Sequence, residues 1–260
     1  MNMKNRTVLI TGGAGHIGRE AAEAVAELGA KVALADLDGD ACRAVAADIA
    51  RKKKAEVQAF TVDVADEEAV RTLPRRVKEA FGSVDVLINT AAFVGTTGLE
   101  GWVVPFAEQT LGTWRQALEV NLTAAFSLVQ AAAPHLKENG HGSVIILSSI
   151  YGLVGPDLRL YEGTAMGNPA AYAAAKGGLI QLTRWLSTVM APDVRVNALT
   201  PGGIWRNQPD SFVERYTERV PLGRMASEED LKGAIAYLSS DLSSYVTGQN
   251  LIVDGGWTAW

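Results

Sequence analysis

Strand-like and helix-like segments alternate along the whole of this 260-residue chain. Short apolar runs rich in β-branched residues are separated by stretches of Ala, Glu, Lys and Leu with helical spacing. Strands that are apolar at nearly every position are typical of a parallel sheet covered on both faces. The pattern therefore predicts an α/β fold, a doubly wound parallel sheet with helices on both faces. The predicted strands are Thr7–Ile10, Lys31–Ala35, Val57–Val64, Val84–Asn89, Ser143–Leu147, Val194–Leu199 and Asn250–Val253.

Glycines mark the ends of predicted helices, as at Arg19–Leu28 before Gly29 and Glu67–Phe81 before Gly82. The sequence has no repeat, low-complexity tract or Pro/Gly/Ser-rich linker, which predicts one domain over residues 1–260. Three irregular segments each follow a predicted strand: residues 93–109, 150–169 and 202–226. Because they leave the same ends of parallel strands, we expect them at the carboxyl edge of the sheet, where ligands bind in such folds.

Charge and cysteine content narrow the classes of function. The net charge is −5 with acidic and basic residues mixed, whereas a nucleic-acid binder shows a concentrated basic patch. Cys42 is the only cysteine, so an internal disulfide and a thiolate metal site are both excluded. The first residues show no signal-peptide pattern, and no apolar run is long enough to span a membrane. We therefore expect a cytoplasmic protein with no nucleic-acid, membrane or metal partner.

Four glycines lie between the first predicted strand and the first predicted helix: Gly12, Gly13, Gly15 and Gly18. Glycine lets the backbone turn sharply and approach a pyrophosphate, which rests on the helix N-terminus. Asp36 ends the second predicted strand, 18 residues after Gly18, near the spacing expected of an acid that binds ribose hydroxyls. This predicts a dinucleotide site, and the alternative is that the glycines permit a tight turn while Asp36 only ends a strand.

Asp36 also bears on the choice of dinucleotide. A carboxylate accepts hydrogen bonds from a 2′-hydroxyl and repels a 2′-phosphate, and Leu37 and Asp38 follow instead of a cation. NAD is therefore favoured over NADP, although His16 and Arg19 lie near enough in sequence to offset the repulsion in part. After the third predicted strand, Asp63 and Val64 are expected at the adenine; the alternative for Asp63 is a cap for the helix that begins near Asp66.

Tyr172 is the tyrosine expected to transfer a proton. A phenol with a pKa of about 10 transfers protons poorly at neutral pH, and a nearby cation lowers that pKa. Of the six tyrosines, only Tyr172 has a lysine four residues later, at Lys176. The stretch from Ala170 to Met190 is predicted to be helical, and positions i and i+4 share one helix face. Lys176 is therefore expected beside the phenol.

Two further polar residues are candidates for the same site. Ser149 closes the fifth predicted strand and would present a hydroxyl at the carboxyl edge. Asn121 stands in a predicted apolar helix at a position where the pattern favours an apolar residue. The alternative for Asn121 is a packing residue hydrogen-bonded to the backbone.

Together these motifs resemble the short-chain dehydrogenase/reductase family over essentially the whole chain. The matching segments are TGGAGHIG at 11–18, NTAA at 89–92, Asn121, Ser149, Tyr172 to Lys176, Pro201-Gly202 and the closing VTGQNLIVDGG. The resemblance implies a Rossmann fold with strand order 3-2-1-4-5-6-7 and hydride transfer to or from a nicotinamide. It also implies assembly as a homotetramer, or a homodimer, through the helix of Tyr172 and its neighbour.

The resemblance implies a role for each catalytic candidate. Tyr172 acts as general acid in ketone reduction and as base in alcohol oxidation, and Ser149 hydrogen-bonds the substrate oxygen. Lys176 holds the nicotinamide ribose and tunes Tyr172, and Asn121 supports a proton relay through water. The implied cofactor contacts are Gly12, Gly15, His16, Ile17, Gly18, Asp36, Leu37, Asp63, Val64, Asn89, Ala91, Tyr172, Lys176, Pro201, Gly202 and Ile204.

The chain departs from the family pattern at three places. His16 stands where the glycine turn usually has glycine, and Gly15 comes one place earlier. NTAA replaces the commoner NNAG, which puts in doubt the contact beside Asn89. The usual threonine after Pro201-Gly202 is missing, since the sequence continues Gly203-Ile204-Trp205-Arg206.

Ser149 and Tyr172 are 23 residues apart, whereas family members place them about a dozen apart. The added residues include several polar ones and are expected to form a flap beside the site, either lining a polar pocket or serving as a surface or subunit contact. Trp102 and Trp205 are candidates for stacking on sugar faces, or for packing. The segment is similar to those of family members in bacterial amino-sugar and flagellar glycan pathways. These features favour a sugar, polyol or sugar-derived alcohol as substrate.

Two other functions remain open from the sequence. One is an NADPH-dependent ketoreductase acting on an acyl or cyclic ketone, for which Asp36 is the discriminating residue. The other is a catalytically silent dinucleotide-binding protein on the same fold, which would have no need of a proton-transfer tyrosine.

Overall fold

Residues 2–94 and 97–260 are described by the computed structural model, and within them seven parallel strands form one sheet. The strand order is β3-β2-β1-β4-β5-β6-β7, which confirms the predicted fold class and order. Helices on both faces bury the three central strands of the sheet at every position, whereas the two edge strands stay partly exposed. The strands are β1 (Thr7–Thr11), β2 (Lys31–Asp36), β3 (Val57–Thr61), β4 (Val86–Asn89), β5 (Gly142–Leu147), β6 (Val194–Pro201) and β7 (Asn250–Val253).

Eight α-helices connect and flank these strands within the same described ranges. They are α1 (His16–Glu27), α2 (Gly39–Lys53), α3 (Glu67–Phe81), α4 (Leu111–Leu118), α5 (Ala124–Lys137), α6 (Ala170–Met190), α7 (Asp210–Thr217) and α8 (Lys232–Ser239). None of the helices in the described part of the chain combines the length and the apolar character needed to cross a membrane.

Successive residues of β1 point into two different hydrophobic layers. Val8 and Ile10 are buried with side chains from α1, α2 and α8, whereas Leu9 is buried with side chains from α3, α5 and α6. This alternation follows from the two-residue period of a strand. Cys42 lies fully buried in the first layer, as an apolar filler on α2.

Most predicted boundaries agree with the structure, and the exceptions have local causes. Helix α3 spans the predicted residues because the Asp66 side chain caps its first N–H groups and Gly82 ends it with a φ of 92°. Helix α1 begins three residues earlier than predicted, directly after Gly15. Strand β3 was predicted to continue to Val64 but ends at Thr61, because it is an edge strand whose pairing with β2 stops there.

The irregular segments lie at the carboxyl ends of their strands, as expected. Residues 150–169 contain two short 3₁₀ turns, Ile150–Gly152 and Leu158–Tyr161. The segment after β6 contains α7. The predicted segment 93–109 includes residues 95 and 96, which lie outside the described residues.

Candidate active site

The turn between β1 and α1 leaves no room for side chains. Gly12 has a φ of +69°, and a Cβ there would lie 2.8 Å from the backbone nitrogen of Ala91. A Cβ on Gly18 would lie 2.0 Å from the carbonyl oxygen of Gly12. Gly15 is the N-cap of α1 and offers no side-chain cap, and no acidic residue occupies the first helical turn. The helix N-terminus is therefore bare backbone with a favourable dipole, which suits a diphosphate.

Asp36 lies at the end of β2 against this glycine turn. One carboxylate oxygen accepts from the backbone N–H of Ala14 at 2.9 Å, and the other accepts from Asp38 N–H at 3.1 Å. Each oxygen keeps a further lone pair for a ligand hydroxyl. Leu37 is 67% exposed beside it and can cover the face of a base.

The two basic residues that left the choice between NAD and NADP open, Arg19 and His16, both contact acids other than Asp36. Arg19 donates to Asp48 at 2.7 Å and to Glu23 at 3.3 Å, on the α2 side of α1. His16 is exposed, and its Nδ1 lies 3.7 Å from Glu228. Neither forms an ion pair with Asp36 among the described residues.

The residues expected at the adenine differ in how far the structure constrains them. Asp63 is exposed and accepts from the backbone N–H of Ala65 at 2.9 Å. The alternative of Asp63 as helix cap is not what forms, because Asp66 caps α3. Val64 is partly buried against the second hydrophobic layer, and Ile17 against the first.

At the end of β4, Asn89 is buried and its Oδ1 accepts from the Thr11 hydroxyl at 2.8 Å. The Thr90 hydroxyl donates to the Thr11 carbonyl at 2.6 Å. These bonds hold the β4 end against β1, so that Ala91 lies directly beside Gly12. The NTAA variant thus keeps a tight contact with the glycine turn.

The segment after β6 is held in place by backbone bonds and by the Tyr216 ring. Gly202 N–H donates to Val253 O at 2.9 Å, directly after the buried Pro201 that ends the strand. Ile204 is buried and bridges to Ala226. A Cβ on Gly203 would lie 2.6 Å from the Tyr216 ring, whose hydroxyl accepts from Gly203 N–H. Glycine at 203 is therefore required by the position of this ring.

Ser149 and Lys176 meet at the end of β5. Ser149 is buried, and its Oγ accepts from Tyr151 N–H at 3.2 Å, while its hydroxyl also interacts with the Tyr172 phenol. Lys176 is 4% exposed, and its Nζ donates to Leu147 O at 2.8 Å. The same Nζ lies 5.6 Å from the ring centroid of Tyr172, as the shared helix face predicts.

The pKa values in this group correct one expectation from the sequence. Burial raises the pKa of Tyr172, while the Ser149 hydroxyl and the charge on Arg206 lower it. Burial lowers the pKa of Lys176 to about 8. The sequence predicted that Lys176 lowers the pKa of Tyr172. The structure does not show this effect, because the Lys176 ammonium lies over the ring and bonds to a backbone carbonyl.

Asn121 occurs in a π-helical turn, Glu119–Thr123, between α4 and α5. The predicted continuous helix is interrupted at this point. Asn121 is buried, and its amide oxygen accepts from Phe93 N–H at 2.6 Å while its amide nitrogen donates to Phe93 O at 3.0 Å. This is the backbone-bonded packing that the sequence left as the alternative. Single π-helical turns are frequent at functional sites.

Gly152 fixes the distance between β5 and α6. A Cβ at this position would lie 2.6 Å from the carbonyl carbon of Lys176. The Ser148 hydroxyl donates to the Lys176 carbonyl at 2.8 Å from the same side. The backbone of Lys176 is thus held directly against the residues that flank Ser149.

The segment of residues 150–169, called the insert below, is anchored to the α7 region by ion pairs and backbone bonds. Asp157 accepts from Arg159 at 2.8 Å and pairs with Arg219. Hydrogen bonds from Arg159 hold the pKa of this carboxyl at about 2. Arg215 on α7 donates to the Glu162 carbonyl at 2.7 Å. The sequence did not identify Arg215 or Arg219, because each acts across more than 50 residues of chain.

An aromatic cluster fills the space between the insert and α7. The Tyr151 and Tyr161 hydroxyls lie 2.6 Å apart, and burial raises the pKa of both phenols. Tyr161 contacts Phe212, and Tyr151 contacts Trp257 edge-on. The buried members of the cluster are Ile150, Leu160, Phe212, Tyr216, Val220, Met225 and Trp257.

The two candidate stacking tryptophans differ. Trp102 is 2% exposed, packs against Ala117 and Ala171, and donates from Nε1 to Val94 O at 2.9 Å. Stacking of a ligand on Trp102 is therefore wrong, and its packing role is confirmed. Trp205 is 53% exposed and stays a candidate.

Comparison with known proteins agrees with this geometry. A family model described as "Enoyl-(Acyl carrier protein) reductase" matches residues 12–258. An L-rhamnose 1-dehydrogenase (NAD(P)(+)) of Azotobacter vinelandii is 37% identical, with 98% of each chain covered. A probable galactose dehydrogenase of Rhizobium meliloti is 34% identical, with 98% of this chain and 96% of that one covered.

The chain belongs to the short-chain dehydrogenase/reductase family. The crystal structure of gox2181, at 29% identity, superposes with a TM-score of 0.88 over 100% of this chain and 98% of that one. As a family member, this short-chain dehydrogenase/reductase is an NAD(P)-dependent oxidoreductase that acts on CH–OH groups. The glycine cradle, the bare N-terminus of α1 and the Asp36 carboxylate fit a dinucleotide.

Proposed function

We propose that the protein interconverts a secondary alcohol and a ketone with NAD, acting on a sugar, polyol or sugar derivative. The observation that carries the proposal is the meeting of Ser149, Tyr172 and Lys176 at the end of β5, on the same edge of the sheet as the glycine turn that follows β1. The nicotinamide supplies the hydride acceptor or donor when it is bound. Residues 1–260 act in this proposal as one dinucleotide-binding domain.

Each catalytic residue has a task that follows from its contacts. Tyr172 takes the alcohol proton during oxidation and returns it during reduction, and Ser149 donates its hydroxyl proton to the same substrate oxygen. Lys176 supplies a buried ammonium that is held at Leu147 O and can also donate to a ribose hydroxyl. Asn121 holds the backbone of Phe93 through two hydrogen bonds. The proposed proton relay through water runs along the π-helical turn that contains Asn121.

The preference for NAD is supported by the surroundings of Asp36. Its carboxylate remains oriented by two backbone N–H groups, and the basic residues at the start of α1, Arg19 and His16, contact other acids. A 2′-phosphate would meet this carboxylate without a neutralising charge, whereas a 2′-hydroxyl would donate to it.

Hydroxylated substrates are supported by two observations. The relatives reported above are named for galactose and L-rhamnose. In this chain the insert also carries several polar side chains, among them Thr164 and Asn168, in the segment that leads from Ser149 to α6. Polar groups that line a pocket select ligands that carry several hydroxyls.

The proposal is tested by replacing Tyr172 with Phe and by following NADH absorbance with a panel of sugars, polyols and cyclic alcohols. We expect turnover to fall by about 10²–10⁴-fold with NADH affinity retained, because only proton transfer is lost. Tyr245→Phe is the matched control, since Tyr245 is fully exposed. Unchanged turnover in Tyr172→Phe would favour a silent protein, and turnover of bulky hydrophobic ketones alone would exclude the sugar class.

The cofactor preference is tested by Asp36→Ala, with Asp40→Ala as control for loss of a nearby exposed acid. We expect affinity for NAD to fall by about tenfold and affinity for NADP to rise, because hydroxyl acceptance and phosphate repulsion are removed together. A wild-type protein that binds NADP more tightly than NAD would support the ketoreductase alternative instead.

We also propose self-association into a homotetramer, or a homodimer, through α5 and α6. Trp185 and Val189 on α6 are 55% and 47% exposed, and Phe126 on α5 is 41% exposed. Large exposed apolar side chains on neighbouring helices are typical of an interface. Sedimentation equilibrium of Trp185→Glu against wild type checks this, and a monomeric wild type contradicts it. The cytoplasmic location stays a prediction.

A further inference from the structure

Arg206 lies in the segment after β6 and is linked to the glycine turn through an acid. Its Nε donates to Glu228 Oε1 at 2.8 Å, and the same oxygen lies 3.7 Å from Nδ1 of His16. His16 is the first residue of α1, directly after the Gly15 N-cap. A single carboxylate therefore links the Arg206 guanidinium to the side chain of the first residue of α1.

The contacts of Glu228 place the Arg206 guanidinium on the α1 side of the segment after β6. The positive charge on Arg206 is also among the influences that lower the pKa of Tyr172, together with the stronger effect of Ser149. The placement of Arg206 itself rests on the Glu228 contacts.

The guanidinium has donors to spare, and its backbone is held in place. Among residues 2–94 and 97–260, the side-chain hydrogen bond of Arg206 is made by Nε, and no acceptor contacts either Nη. The side chain is 33% exposed, so a ligand can reach it. Arg206 N–H donates to the Gln208 side chain, which donates in turn to the Ile204 carbonyl, so the loop is stapled.

We propose that Arg206 binds the diphosphate of the dinucleotide, with Glu228 orienting its guanidinium toward the glycine turn. The proposal rests on the dinucleotide-binding function proposed above. A guanidinium presents parallel N–H donors that match phosphate oxygens, and the N-terminus of α1 presents backbone N–H groups to the same diphosphate.

The test compares Arg206→Gln with Arg184→Gln, an exposed arginine on α6 bonded to Gln181. Dissociation constants of NADH and of ADP-ribose are measured by titration calorimetry, because ADP-ribose has the diphosphate but no nicotinamide. We expect Arg206→Gln to weaken both ligands by the same factor, about tenfold, and Arg184→Gln to weaken neither. Arg206→Lys should recover part of the loss, since charge is kept without the forked geometry.

Four results would overturn the inference. They are unchanged affinity for both ligands, weaker NADH binding with unchanged ADP-ribose binding, a higher KM for an anionic substrate with unchanged dinucleotide binding, and equal losses in the Arg184 control. If Arg206→Gln does not fold, Arg206→Lys is measured in its place. A dinucleotide affinity of Arg206→Lys equal to that of the wild type, at both low and high salt, would then contradict the forked contact. A wild-type protein that binds neither NADH nor ADP-ribose would instead refute the proposed function itself.

Discussion

The turn between β1 and α1 and the insert after β5 face the same site but are built differently. The turn is shaped by backbone, since Gly12 and Gly18 sit where a Cβ would collide with main-chain atoms. The insert is shaped by side chains, since its position depends on the Tyr151–Tyr161 contact and on Arg215 from α7. Backbone constraints are visible in residue type and spacing, whereas side-chain constraints across distant segments are not.

The largest effect is expected from Gly18→Ala, which places a methyl group 2.0 Å from the Gly12 carbonyl. Backbone must move to relieve this contact, so we expect a loss of about 3 kcal/mol in stability and on the order of 100-fold in NADH affinity. Urea unfolding and NADH fluorescence titration measure the two. Gly233→Ala on α8, where a Cβ meets open space, should stabilise by about 0.5 kcal/mol. Equal changes of stability and NADH affinity in the two variants would show that backbone contacts do not shape the turn.

Replacing Lys176 is expected to raise the stability of the protein and to abolish its activity. A pKa moved from 10.5 to about 8 by burial corresponds to about 3 kcal/mol lost at pH 7. Lys176→Met removes this cost and also the hydrogen bond to Leu147, worth about 1 kcal/mol. We therefore expect the variant to be about 2 kcal/mol more stable at pH 7, without turnover.

The pH dependence gives the sign of the Lys176 effect. Between about pH 8 and 10.5 the unfolded chain binds a proton that the folded chain does not, so wild-type stability rises with pH across that window. The advantage of Lys176→Met should therefore shrink above pH 8, vanish at about pH 9.5 and become a disadvantage of about 1 kcal/mol by pH 10.5, because the lost hydrogen bond remains. Urea unfolding at pH 7 and pH 10 checks it, and an advantage independent of pH would assign the gain to packing.

Gly152→Ala tests the one place where the insert depends on backbone. The added methyl would lie 2.6 Å from the carbonyl carbon of Lys176, so α6 must shift relative to Ser149. We expect kcat to fall by about tenfold with the dissociation constant of NADH unchanged, because misplacement by a fraction of an ångström slows proton transfer. Gly155→Ala, in open space within the same insert, is the control. A matching loss in Gly155→Ala would point to general loosening of the insert.

Tyr161→Phe is expected to have the smallest effect. It removes the phenol contact with Tyr151 at 2.6 Å but keeps the ring against Phe212, which corresponds to about 1 kcal/mol. The KM for a hydroxylated substrate should rise about threefold while NADH binding stays constant. Substrate-saturation curves with Tyr245→Phe as control measure this, and a change in NADH binding instead would show that the insert also shapes the cofactor half.

The elements that the sequence predicted best are those with strong local signals. All seven strands were located from their apolar runs, and α3 and α6 began and ended as expected. The pairing of Tyr172 with Lys176 followed from helical geometry, and the structure brings Ser149 to the same place.

The expectations that failed depend on tertiary surroundings. The π-helical turn at Asn121 has no sequence signature of its own, because the Asn121 side chain bonds to the backbone of Phe93, which lies in another segment. The pKa of Tyr172 is raised because burial outweighs the charge effects, and burial cannot be read from spacing. Trp102 is buried by Ala117 and Ala171, which lie in different helices.

The close approach of Gly152 to the peptide of Lys176 divides the insert into a first part held by backbone contacts and a second part held by side chains. Up to residue 152 the path of the chain is dictated by the helix that carries the reacting phenol. Beyond it, the path of the chain is set by side-chain contacts with the α7 region, such as those of Tyr161 with Phe212 and of Arg215 with the Glu162 carbonyl. A scaffold with this division can acquire new substrates by remodelling one exposed ridge while its chemistry stays the same.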